Sequence, residues 1–298
     1  MERYTLTKDK TRGYATETVI SRHEDLQEFY DYCAKPSITA NGKESSREED
    51  SEYFSFTGTH SFEEALELAN KGWMKGLEDI KKADIGNKLD LLMGIDNKFD
   101  LIYDTQGSYV DIDRYLQGEP ECMAEFDVKI TPRFADIYVN MGFNAYVSSK
   151  SITERGKIIL EFIDALEARN IKIKLHSCAF LSGNGRAFKL DDITVKDYKD
   201  ALNIEAVNFA VCHPSFFRRL LFSYWENNTK EFRDKFDIWA GAGYGQTQSL
   251  DGSFAKDITN YIESQQNGNP YIYFDSVIDK GIDEAIKKVQ EIINNTRK

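Results

Sequence analysis

The chain has 298 residues, with 50 Asp and Glu against 38 Lys and Arg, and a formal charge of −12. Its 41% hydrophobic and 13% aromatic content excludes a wholly disordered chain and predicts a sizeable packed core. The acidic balance argues against general binding along a phosphate backbone, which needs clustered Lys and Arg, and suits a partner that itself presents a basic surface.

In chain order, residues 1–22 read as an irregular or extended arm, and 24–32 as a short amphipathic helix carrying Leu26, Phe29 and Tyr30. The polar stretch 35–52 reads as a mobile loop and 53–56 as a short strand. Ser61 and Glu64 have the spacing of a capping box at the start of a helix, with Leu66, Ala69, Trp73 and Leu77 as its apolar stripe. A further helix is expected over 87–94. Residues 101–123 combine a strand, a Gly turn and a short helix ended by Gly118 and Pro120.

The second half is more regular. A strand is expected over 134–147, interrupted at Gly142, followed by an amphipathic helix over 153–169 and an alternating strand over 171–178. Strand, helix and strand with short connections form a parallel crossover unit. Residues 182–186 form a turn, 206–212 a buried strand or helix, and 213–225 a helix with Pro214 in its first turn. A strand over 271–274 and an amphipathic helix over 282–293 follow the Gly-rich stretch 240–253. The fold class expected is α/β, a mostly parallel sheet flanked by helices, with residues 1–100 as an α-rich N-terminal extension and 101–298 as the core domain.

Cys33, Cys122, Cys178 and Cys212 show no C-x-x-C spacing and are too sparse for a disulfide scaffold, so they read as reduced, mostly buried thiols. The first ten residues are charged and lack an apolar core, and no apolar run approaches about 20 residues, so a soluble cytoplasmic protein without a signal peptide or membrane span is expected.

Few side chains have the spacing of a reactive centre. Asn140, Asn144, Ser148 and Ser149 lie where the first core strand turns toward the long helix. Doubly wound sheets bind ligands at such carboxyl ends. Hard cations prefer charged oxygens, and the segment has no Asp or Glu before Glu154, so no metal is expected and these read as loop and cap residues. His213, at an element junction, is an acid/base candidate or a cap. Cys212 and His213 are adjacent, which ill suits a nucleophile and its base. Arg218 and Arg219 are adjacent too, and are expected to diverge, one holding an internal carboxylate and the other meeting solvent or a partner. Asp111, Asp113, Glu119 and Glu121 cluster around the Gly/Pro turn, as a solvated turn or as paired carboxylates for acid/base work or Mg²⁺. The Gly-rich segments 182–186 and 241–245 match neither a phosphate loop nor a dinucleotide fingerprint.

Three blocks resemble proteins of unknown function common in bacteriophages: 103–123 (YDTQGSYVDIDRYLQGEPECM), 148–156 (SSKSITERG) and 212–220 (CHPSFFRRL). The resemblance implies a Rossmann-like core of the von Willebrand factor A type. That type usually carries an Asp-x-Ser-x-Ser metal motif after its first strand, and the matching stretch here, Asn140 to Asn144, lacks it, which weighs against metal-dependent adhesion. By analogy with phage proteins that oppose host nuclease systems such as Gabija, the resemblance implies a non-enzymatic, oligomeric protein that binds and inhibits a host protein complex in the host cytoplasm. On this reading no cofactor, metal, membrane or direct nucleic-acid contact is expected. Tyr224, Trp225, Trp239 and Arg219 are its candidate partner-binding residues, and the N-terminal segment reaches a neighbouring subunit. The alternatives are a hydrolase acting on a nucleotide or nucleic acid at the carboxyl edge of the sheet, using His213, Arg218, Asn140, Glu119 and Glu121, and a virion structural component.

Overall fold

The computed structural model describes residues 2–7, 14–35, 45–49, 51–75, 99–107, 109–128, 133–239, 243–244, 246–265, 268–276, 287 and 289. The strands among them are β1 (Glu2–Thr7), β2 (Glu17–His23), β3 (Phe99–Asp104), β4 (Tyr109–Val110), β5 (Met123–Val128), β6 (Arg133–Asn140), β7 (Ile171–Gly183), β8 (Ala187–Lys196), β9 (Ile238–Trp239), β10 (Gly243–Tyr244), β11 (Gln246–Thr247) and β12 (Tyr271–Phe274).

The central sheet has the order β1-β2-β8-β7-β6-β12, with β11 paired to β7. Pairing is parallel across β7, β6 and β12 and again between β2 and β8. The two parallel sets are joined by the antiparallel β7–β8 hairpin, whose turn is Asn184–Arg186. Gly185 and Arg186 take positive φ there, at 68° and 61°, a conformation Gly adopts freely. The strand, helix and strand read from the sequence appear as β6, the Ser149–Glu167 helix and β7. The α/β fold with helices against a central sheet is thus present, Rossmann-like in outline. β3, β5 and β4 form a separate three-stranded sheet.

Each face of the central sheet carries its own core. One packs the Ser149–Glu167, Ile204–Cys212, Leu26–Cys33 and Phe62–Lys71 helices over residues such as Val139, Leu175 and Ile193. The other lays the Ala255–Gln265 helix over Ile20, Tyr138, Phe180 and Leu190. The long helix buries Ile152, Ile159, Phe162, Ile163 and Leu166 on one stripe. At Gly156 it comes so near the Ile204–Cys212 helix that an added Cβ would lie 2.4 Å from Cys212 Cα, so only glycine fits there.

Several expectations change. The boundary placed near residue 100 is crossed by the sheet, because β2 pairs with β8 and Phe29 and Phe62 join the main core. Residues 53–56 belong to the Ser51–Thr57 helix, not to a strand. Helical spacing there brings the Tyr53 and Phe56 rings to 5.6 Å. In the expected mobile loop, Ser45–Arg47 forms a 3₁₀ turn pinned to the core, with Ser46 N donating to Glu226 Oε1 at 3.0 Å. The helix expected over 213–225 is present, with a π-helical turn at Phe216–Leu221. The helices expected over 87–94 and 282–293 lie outside the described residues, apart from 287 and 289, which are helical.

Candidate functional site

Side chains alternate across a strand, so neighbours on β6, β7, β8 and β2 divide between the two sheet faces. Asp136 and Tyr138 of β6, Lys174, His176 and Cys178 of β7, Asp192 of β8 and Arg22 of β2 share the face covered by the Ala255–Gln265 helix. The polar members gather at the end of that helix, around a cavity of about 290 Å³ lined by Arg22, Glu24, Asp136, Lys174, His176 and Tyr198 among others.

At its wall, His176 Nδ1 is 2.7 Å from Asp192 Oδ1, which lies behind the lining. Tyr261 donates its hydroxyl to Asp192 Oδ2 at 2.6 Å, and Arg22 Nη2 donates to that hydroxyl at 3.2 Å. Burial pushes Asp192 up, but His176, Tyr261 and Arg22 outweigh it and hold the carboxyl below its ordinary range. An ionised carboxylate only accepts, so His176 Nδ1 donates to it. Tyr138 stacks on the imidazole, centroids 4.4 Å apart. Asp136 accepts from Tyr198 Oη, which in turn accepts from Asn269 Nδ2 at 2.9 Å. Burial raises Asp136, against the opposing pull of Tyr198, His176 and Lys174. The arrangement orients a histidine and lines a small polar space with both signs of charge.

The carboxyl edge of the sheet is organised differently. Arg155, a residue the sequence reading did not single out, is buried there, and its Nη2 donates to the carbonyls of Asn140, Phe274 and Asp275 at 3.4, 3.2 and 2.6 Å. Asn140 Nδ2 donates to Gln248 O at 3.0 Å and to Tyr273 Oη at 3.1 Å. Through Nη2 the guanidinium thus ties the ends of β6 and β12 together, at the edge where open α/β sheets bind ligands.

The other residues read from the sequence fall into structural positions. His213 is 4% exposed, accepts from Ser215 N at Nδ1 over 3.2 Å, and packs edge-on to Trp73. Burial lowers it to about 3, so it is neutral. Arg218 and Arg219 were expected to diverge. Both are buried, because the π turn lies inside a wholly buried stretch. Arg218 donates to the carbonyls of Phe56, Asn144 and Val147, and Arg219 to those of Ser46, Glu48 and Thr59 and to Thr59 Oγ1. Both therefore bind backbone carbonyls, not a carboxylate or a partner. Tyr224 and Trp225, expected on a partner-binding surface, are 1% and 0% exposed. Trp225 Nε1 donates to Asp191 Oδ2 at 2.7 Å, and Tyr224 packs on His23. Trp239 lies in β9 opposite Gly243. Ser148 caps the long helix by accepting from Ser151 N at 3.1 Å, and Ser149 Oγ donates to Ser55 O at 2.6 Å.

The acidic turn surrounds a different feature. Asp111 caps the Ile112–Leu116 helix through the Asp113 and Arg114 amides, and those amides with Tyr103 hold its carboxyl below the ordinary range. Arg114 Nη2 pairs with Glu119 at 2.5 Å. This helix buries no residue: Ile112, Tyr115 and Leu116 are 68%, 64% and 75% exposed, and Val110 beside them is also exposed. An outward apolar cluster rimmed by carboxylates is the kind of patch that marks a contact site.

Among the described residues, no group of three or more His, Cys, Asp or Glu is placed to hold a metal, and no helix is long and apolar enough to cross a membrane. No curated protein and no solved structure matches the chain. The family described as Domain of unknown function (DUF7192) matches residues 7–296. That match runs from the end of β1 past β12, through the central and three-stranded sheets, the cavity and the exposed helix, and the chain belongs to the DUF7192 family.

Proposed function

We propose that the chain is a protein-binding protein that acts through contact, not catalysis, and that it meets its partner through the Ile112–Leu116 helix. The observation that carries this reading is the outward display of Ile112, Tyr115 and Leu116 on a helix that buries none of its residues. Apolar side chains with a tyrosine form the cores of interfaces, and a polar rim surrounds them. Here that rim is acidic: Asp111, Asp113, Glu119 and Glu121 flank the cluster, and the whole chain carries −12. The matching partner surface is apolar and bordered by Lys and Arg.

The resemblance to phage proteins makes a host complex the candidate partner, with an anti-phage nuclease assembly as the leading case, because a DNA-binding surface is basic. On this reading the protein works as an oligomer in the host cytoplasm and covers the surface its partner uses for DNA.

The test is capture from host cells by the tagged chain, with the captured proteins identified by mass spectrometry, beside Tyr115→Asp and Leu116→Asp variants. Both positions are exposed, so the variants keep their fold. The proposal expects one stoichiometric complex with the wild type and its loss with either variant. Equal capture by all three chains contradicts it.

A further inference from the structure

The cavity beside His176 plays no part in the contact reading, and its walls are built for a ligand. Its volume of about 290 Å³ is near the lower end of small-molecule sites, which run from about 300 to 1,000 Å³. His176 is 5% exposed, its Nδ1 is held by Asp192, and among the described residues its Nε2 has no hydrogen-bond partner. A buried polar atom without a partner is rare and calls for one. At the mouth, the Glu24 carboxylate lies 3.6 Å from Arg22 Nε and 3.6 Å from Lys174 Nζ. These are ion-pair contacts too long for good hydrogen bonds, and the Glu24 side chain is 60% exposed. Two cations thus already hold an anion loosely at the entrance to a space that contains an open imidazole nitrogen. Tyr198, Ser264, Gln265 and Asn269 add neutral polar groups to the lining.

We infer that this cavity binds a small polar molecule bearing a carboxylate or phosphate, which takes the place of Glu24 between Arg22 and Lys174 and presents a second polar group to His176 Nε2. Asp192 is the positioning residue: it fixes the imidazole from behind, with Tyr138 stacked on the ring. Glu24 is a built-in competitor for the site.

The experiment follows the histidine ring signals of the full-length protein by NMR while inorganic phosphate and, separately, glycolate, a carboxylate that carries a hydroxyl, are added. The chain has only 4 histidines, and His176→Gln assigns the relevant signal. The expected result is a saturable shift of the His176 ring with at least one anion; which one responds distinguishes phosphate from carboxylate. Glu24→Gln removes the competitor and tightens binding about two- to fivefold, the worth of an exposed ion pair. Lys174→Gln weakens it. Both side chains lie at the cavity mouth, and thermal melts verify that the variants fold. No His176 shift with either anion, a shift unchanged by both substitutions, or weaker binding in Glu24→Gln overturns the inference.

Discussion

Asp191 and Asp192 are consecutive in β8, both fully buried, and serve opposite faces of the sheet. The Asp191 carboxylate holds Lys189 Nζ and Trp225 Nε1 inside the main core. The Asp192 carboxylate turns the other way, to His176 and Tyr261 beside the cavity. One is a closed internal pair, and the other supports a side chain whose second nitrogen is open.

The two carboxylates therefore respond differently to the same substitution. Asp191→Asn removes the carboxylate that Lys189 Nζ and Trp225 Nε1 share in the core, and destabilisation of about 3–5 kcal/mol is expected in urea unfolding. Asp192→Asn removes the charge that orients His176, at about 1–3 kcal/mol, and changes the ring nitrogen signals of His176. Asp191→Asn leaves those signals in place. Equal losses, or an unchanged His176 spectrum in Asp192→Asn, would remove the distinction.

Arg219 is expected to tolerate no neutral replacement. Its Nε, Nη1 and Nη2 satisfy Thr59 Oγ1 and the carbonyls of Ser46, Glu48 and Thr59 in the fold interior. Arg219→Met removes this donor from the Ser46 and Glu48 carbonyls, while Thr59 O keeps Thr57 Oγ1 and Thr59 Oγ1 keeps Ser215 Oγ. A loss of about 1–3 kcal/mol is expected, and Arg219→Lys recovers only part because a point-charge ammonium cannot span the same fork. The urea midpoint measures both. A near-neutral Arg219→Met would return Arg219 to the surface role read from the sequence.

Gly156→Ala separates the two helices that meet at Cys212. The added Cβ lies 2.7 Å from Cys212 Sγ as well as 2.4 Å from its Cα. Overpacking of this kind costs about 1–3 kcal/mol. Burial also raises the Cys212 thiol well above its usual range, so it reacts slowly with a thiol reagent in the wild type. Gly156→Ala accelerates that reaction. An unchanged rate and midpoint would show that the helices are not in contact.

Acid lability follows from two buried histidines. Burial lowers His213 to about 3 and His23 to about 4, from 6.5. The unfolded chain binds these protons below about pH 6.5 and the folded chain does not, so stability is lost as pH falls from there toward the folded values. Each contributes a slope of up to about 1.4 kcal/mol per pH unit. In urea unfolding at a series of pH values, His213→Asn removes about one such slope, since Asn keeps a side-chain acceptor for Ser215 N. A slope unaltered in that variant would mean that His213 titrates normally.

How much of this was readable from residues alone varies along the chain. The capping box was legible: Ser61 Oγ accepts from Glu64 N at 3.0 Å, because cap chemistry is local. The crossover from β6 to β7 was legible from two clean periodicities. The β7–β8 hairpin was less so, since the Lys189, Asp191 and Asp192 charges of β8 disguise a strand whose polar side chains are buried in pairs. The burial of Tyr224 and Trp225 was hidden because aromatic content fits a core and an interface equally. His176 was missed for a related reason. Its place in an alternating strand marked it as an outward polar residue, and only the hairpin brings Asp192 to it.

The Ile112–Leu116 helix is the proposed contact surface for a protein partner. Hydrogen exchange read by mass spectrometry, on the free chain and on the chain purified with its captured complex, tests it most directly. Peptides covering residues 110–117 are expected to gain protection in the complex. Unchanged exchange across those residues, with protection appearing elsewhere, contradicts it.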